Sequence, residues 1–165
     1  MKQDQFEAGE VERITVRVAH QGANTTNNRA MPDICMQHLC AVMLIDGTVS
    51  FKAAHDEKRM RDARVLKVRQ SVELIGDDAL TRAMPSRQGI VELRLRDGRR
   101  LVHHAKAVRG TAENPMTRAE VEAKAYDLAA PVLGERRARR LCGAILDVEA
   151  VRDVRELRPL LKEKR

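Results

Sequence analysis

Tryptophan is absent from this 165-residue chain, and Phe6, Phe51 and Tyr126 are its whole aromatic complement. Proteins that hold single-stranded nucleic acid usually stack bases on aromatic rings. The net charge of +7 lacks that companion signal, so nucleic acid is not expected as a partner. Cysteine is scarce as well: Cys35, Cys40 and Cys142 form no CxxC pair. Cys35 and Cys40 fall on different sides of a helix, which excludes a redox pair or a zinc half-site and leaves buried free thiols as the expectation. The start of the chain has no apolar run of the signal-peptide kind, and no segment is long enough to span a bilayer. A cytoplasmic protein without a membrane partner is expected. Also missing are a GxSxG elbow, an HExxH zinc motif, a P-loop and a GxGxxG fingerprint; neither a metal nor a cofactor is called for.

What the chain does have is one strongly apolar stretch, residues 33–47, whose body from Ile34 to Ile45 is interrupted only by Gln37 and His38. Asp33 is a suitable N-cap and Gly47 a suitable left-handed terminator. A helix apolar all round is a membrane span or the centre of a core. At ~1.5 Å per residue this one covers roughly 20 Å, too short for a bilayer core of ~30 Å. It is expected to be the buried helix that the rest of the domain covers.

The flanking segments supply the cover. Ile14, Val16 and Val18 alternate with Arg13, Thr15 and Arg17, the period of a strand with one wet face. Residues 20–29 read as a polar loop rich in Asn and Thr. A short extended piece follows at residues 48–51, then a charged helix within residues 55–70 and a strand at residues 71–75. The clearest local signal is a hairpin over residues 89–107. Asp97-Gly98 predicts a two-residue type I′ turn, placing Val91, Leu93, Leu95, Val102 and His104 on the apolar face and Glu92 opposite His103. Thr117 and Glu120 make a capping box. It opens a helix that ends at Pro131 and Gly134; a second helix spans about residues 135–147, a third residues 148–161, and a charged tail closes the chain. This order predicts one α+β domain over residues 1–165: a mostly antiparallel sheet with a central hairpin, one buried helix, and C-terminal helices packed on the sheet.

Few constellations carry chemistry. The cluster Arg136, Arg137, Arg139 and Arg140 sits on an amphipathic helix and reads as a solvated face. The segment of residues 20–29 joins a base, amides and a guanidinium to the start of a rigid helix, whose free N–H groups favour a carboxylate.

Ile14-Thr15-Val16-Arg17-Val18, an Asn-rich loop, and Met31-Pro32-Asp33-Ile34-Cys35-Met36-Gln37-His38-Leu39 resemble the MmgE/PrpD family. The likeness continues through Arg61-Asp62-Ala63-Arg64-Val65-Leu66, Leu95-Arg96-Asp97-Gly98-Arg99, Gly110-Thr111-Ala112-Glu113-Asn114-Pro115-Met116-Thr117 and Leu128-Ala129-Ala130-Pro131-Val132-Leu133-Gly134. The family includes 2-methylcitrate dehydratases and cis-aconitate decarboxylases. The resemblance implies cofactor-free lyase or isomerase chemistry on small polycarboxylic acids, in two-domain chains whose all-helical N-terminal domain supplies most catalytic groups. This sequence resembles only the smaller C-terminal domain, which closes over the substrate; the helical domain is absent from it.

On that reading His20, Asn27, Asn28 and Arg29 line the substrate cleft, with Arg29 as carboxylate holder and His20 as polar gate, and Asp33 and His38 behind them. The partner implied is a helical domain or subunit of the same family, homo-oligomerisation is left open, and the isolated chain is expected to have little or no lyase activity. The alternative is a stand-alone, non-catalytic binding or partner subunit that docks on a separate helical protein.

Overall fold

Strand β1, Val11–Val18, is the hub of the first of two compact units, residues 1–108 and 109–165. The computed structural model describes residues 6–162. Of the charged tail predicted at the C-terminus, residues 163–165 lie outside the described residues.

In the first unit β1 is followed by α1 (His20–Thr26), a 3-10 turn at Pro32–Ile34, α2 (Met36–Asp46), α3 (Phe51–Ala54) and α4 (Ala63–Gln70). Then come β2 (Val72–Gly76), α5 (Asp78–Arg82), and the hairpin strands β3 (Gly89–Leu95) and β4 (Arg100–Ala105). The sheet order is β2-β1-β3-β4. Two of the three pairings are antiparallel, as expected, but β1 and β2 run parallel. The long helical crossover between β1 and β2 is what permits this pairing. The hairpin lies to one side of the sheet: β3 is inside it, and β4 is one of its two edges, with β2 the other.

The hairpin turn also differs from the expected one. Gly98 N–H donates to the Leu95 carbonyl, Leu95 N–H donates to the Arg99 carbonyl, and Gly98 has φ +90°. The turn thus has three residues, a form that ends in a left-handed glycine. Register moves by one residue, and with period 2 that reverses every side chain of β4. Leu101, opposite Leu93, packs on the core, while Val102 is 58% exposed. Glu92 faces Val102 rather than His103, and ion-pairs with Arg100 at 2.6 Å.

Helix α2 is buried from two sides. Its Leu44 joins Ile14, Val16, Val72 and Leu95 against the sheet, and its Ala41 and Val42 pack with Val65 of α4. A register shift in β1 between Val11 and Arg13 lets both Val11 and Ile14 face this core. Gly47 ends α2 at φ +71°, as expected. The N-cap is Cys35, not Asp33, because Pro32 starts a separate 3-10 turn that contains Asp33. Residues 48–51 form no strand: Ser50 keeps an extended backbone, but it caps the single turn α3, which starts at Phe51, by accepting from Ala53 N–H.

The second unit is a helical hairpin, α6 (Arg118–Leu133) and α7 (Glu135–Leu146), joined at Gly134. An Arg118 N–H donates to the Leu146 carbonyl at 2.8 Å, which sets the two helices antiparallel. Pro131 lies in the last turn of α6 and does not end it; Gly134 does. Ala138 and Cys142, one turn apart on α7, are buried. Of the Arg cluster, Arg139 lies 4.5 Å over the Tyr126 ring and Arg137 donates to the Lys162 carbonyl. The last predicted helix is replaced by 3-10 turns at Val148–Ala150 and Val154–Leu160, the second of which contains Pro159. Proline's missing N–H and ring clash disfavour an α-helix interior. The capping box forms, with Thr117 Oγ accepting from Glu120 N–H and the Glu120 carboxylate accepting from Thr117 N–H. Arg109, and then Thr117, hold the Glu120 carboxyl down to about 2. Replacing Thr117 with Ala is expected to cost about 1 kcal/mol, read as a lower midpoint in chemical denaturation.

Candidate amide groove at the edge of the sheet

Most of the segment expected to be a polar loop is helix. In α1, residues 20–26 are held by Ala23, which is buried, and by the hydroxyls of Thr25 and Thr26, which donate back to the Gln21 and Gly22 carbonyls. The chain then turns at Asn27 and Asn28. Asn28 takes φ +46°, a left-handed conformation that Asn tolerates better than most residues.

The centre of the site is Gln37, on the first turn of α2 and only 2% exposed. Its Nε2 donates to Asn27 Oδ1 at 2.6 Å, and its Oε1 accepts from Asn28 N–H at 2.9 Å. Arg69 at the end of α4 donates to Asn28 Oδ1 at 3.3 Å. Together with Gln70, Ser71 and residues 72–74 of the edge strand β2, these amides line a groove of about 560 Å3. Its charged wall is Arg13 bonded to Glu73 at 2.6 Å, and Glu12, which pairs with Arg94 at 3.1 Å. No histidine, lysine or cysteine lines it among the described residues. Such a surface offers many neutral donors and acceptors with guanidinium groups at its border. It is suited to holding a polar ligand rather than to moving its protons.

The other expected site residues are dispersed. His20, the first residue of α1, binds Asp78 Oδ1 through Nε2 at 2.8 Å, and its ring lies over Gly76, where an added Cβ would meet Nδ1 at 2.2 Å. It ties α1 to α5 at the end of the helix remote from the groove. Arg29 folds back on the preceding helix α1, donating from Nε to the Thr25 carbonyl and from its terminal nitrogen to that of Asn24. Asp33 is half-buried in its 3-10 turn. His38 is fully buried, and neither ring nitrogen has a hydrogen-bond partner among the described residues. Burial pushes its imidazole below the ordinary value; Arg69 and Arg59 push the same way and Asp56 opposes them. Asn27 and Asn28 alone of the expected set reach the groove. Gln37 and Arg69 were not among the expected residues, although a glutamine interrupting so apolar a helix was a readable signal.

The His20 contact gives a simple test of what that residue does. Replacing Gly76 with Ala should swing the exposed ring away from Asp78 at a cost under about 1 kcal/mol, because exposed ion pairs contribute little. A His20 imidazole resonance unmoved in NMR spectra would contradict this.

The thiols take no part: Cys35 and Cys142 are buried, and burial, with Cys35 nearby, pushes the Cys40 thiol up to about 11. Among the described residues no group of three or more His, Cys, Asp or Glu could hold a metal ion, and no helix is long and apolar enough to cross a membrane.

The first unit is thus a mixed α+β unit that carries an amide groove, and the second is a helical hairpin. The sequence model of the MmgE/PrpD C-terminal domain matches residues 1–149, and the chain belongs to that family. A search of curated proteins gave no match.

Proposed function

We propose that this chain is the substrate-covering part of an MmgE/PrpD lyase or isomerase acting on small polycarboxylic acids by dehydration or decarboxylation. A helical N-terminal domain or subunit of the same family supplies the acid–base groups, without a cofactor and in the cytoplasm. The observation that carries this reading is the groove of Asn27, Asn28 and Gln37 bordered by Arg13 and Arg69. Proton transfer next to a carboxylate needs both a positioned base and groups that hold charge; the groove supports the second role. The exposed apolar stripe Val121, Leu128 and Val132 on α6 suits contact with a helical partner.

The same stripe favours a second reading, a non-catalytic binding subunit docked on that partner. Co-expression with a helical domain of the family separates the two. The complex should turn over 2-methylcitrate or cis-aconitate, the isolated chain should not, and Asn28→Ala should lower kcat/KM of the complex by roughly tenfold, the equivalent of one hydrogen bond. Turnover by the isolated chain would overturn the division of labour. An inactive complex that still binds these acids would favour the second reading.

A further inference from the structure

A second cleft lies in the first unit, between the 3-10 turn Ala8–Glu10, the start of β1, and the faces of α2 and α4. Its floor is apolar, built from Ala8, Val11, Leu44, Ile45 and Val68. Its rim is cationic. Arg64 and Lys67 lie one turn apart on α4, above Val68, and Arg96 reaches over from the hairpin turn. Arg96 Nε donates to the Gly9 carbonyl at 3.2 Å and its backbone N–H to the Glu10 carbonyl, which fixes that side of the rim. Arg64 and Lys67 have no ion-pair partner among the described residues. Glu12, the one acid in the lining, is paired with Arg94 outside it. The cleft borders the amide groove only at Glu12 and Ser71.

We infer that this cleft binds a medium-chain acyl carboxylate. Solvated lysines and arginines on a helix are ordinary; an apolar floor directly beneath three of them is not. A fully polar acid would strip water from that floor without replacing its own hydration, and an uncharged hydrocarbon would leave the rim unused. A carboxylate on an apolar body satisfies both, with its head between Arg64, Lys67 and Arg96 and its chain on Ile45 and Val68. The volume of about 320 Å3, at about 30 Å3 per water-sized group, corresponds to roughly ten non-hydrogen atoms, which makes octanoate the probe of matching size.

The test is an amide NMR titration of the full chain with sodium octanoate, 1-octanol and acetate. Octanoate should produce saturable shifts at Val11, Ile45, Lys67 and Val68, with octanol and acetate each at least about tenfold weaker. The pair R64E/K67E, both exposed, should weaken octanoate by about tenfold or more, and Ile45→Trp, which fills the floor, should block it while leaving acetate unchanged. Octanoate binding that is undiminished in both variants, shifts spread equally over the apolar stripe of α6, or octanol binding as well as octanoate would each overturn the assignment. The readout is binding to this cleft alone, so it stands or falls apart from the proposed lyase role.

Discussion

Replacing Gln37 with Leu should destabilise the protein by about 2 kcal/mol, the summed net worth of two hydrogen bonds near 1 kcal/mol each. The shape of the site is preserved while both bonds to the turn are removed. Asn28 N–H and Asn27 Oδ1 lose their partner, and Asn28, at φ +46°, loses what holds it in a sparsely populated conformation. Both asparagines are exposed, so water recovers part of the loss and keeps the figure from rising further. For a chain of this length that corresponds to a fall in Tm of roughly 4–8 °C, and the Asn28 amide should exchange rapidly with solvent. A Tm unchanged within a degree, with the Asn28 amide still protected, would show that the turn holds itself. The effect on ligand binding should exceed the effect on stability, because the groove is made of the groups that Gln37 positions.

His38 gives the second large effect, and it grows as pH falls. The ring is buried with both nitrogens unpartnered, and burial and two guanidinium groups hold its pKa below the ordinary 6.5. Above pH 6.5 the imidazole is neutral in folded and unfolded chains alike, so it adds no pH dependence. Below that value the unfolded chain takes up a proton that the folded chain resists. Stability should therefore fall as pH falls through 6.5, by at most about 1.4 kcal/mol per pH unit from this one group. Replacing His38 with Phe removes both unpartnered atoms and the titration. Each buried unsatisfied polar atom costs about 1–3 kcal/mol, so the variant should be as stable as the parent or more so at pH 7.5, and clearly more stable at pH 5.5. Urea midpoints at the two pH values decide it. A parent and variant with parallel pH profiles would remove His38 as the titrating group.

Local patterns in the sequence carried the elements that local chemistry decides. The alternation in β1, the left-handed stop at Gly47 and the capping box at Thr117 all stand in the structure as read. What was not legible depends on contacts far apart in the chain. Helix α1 has poor helical composition, with Gly22, Asn24, Thr25 and Thr26, and it forms because Ala23 is buried and His20 is tied to Asp78. Asp97-Gly98 serves a two-residue and a three-residue turn equally well, and only the packing of Leu101 beside Leu93 selects the register. The parallel β1–β2 pair has no local signature at all. The groove followed the same rule: the loop composition singled out Asn27 and Asn28 and the apolar helix set off Gln37, but that Gln37 and Arg69 meet the two asparagines is decided by the fold alone.

The groove also rests on the most replaceable part of the sheet. Part of its lining is β2, an edge strand that among the described residues pairs only with β1, from which the helical crossover separates it in the chain. Elements of this kind open at a lower free energy than the interior of the sheet. Amide exchange in β2 is therefore expected to be faster than in β1 at the interior of the sheet. Any ligand held there would tie β2 to the turn at Asn27 and Asn28, and so slow that exchange.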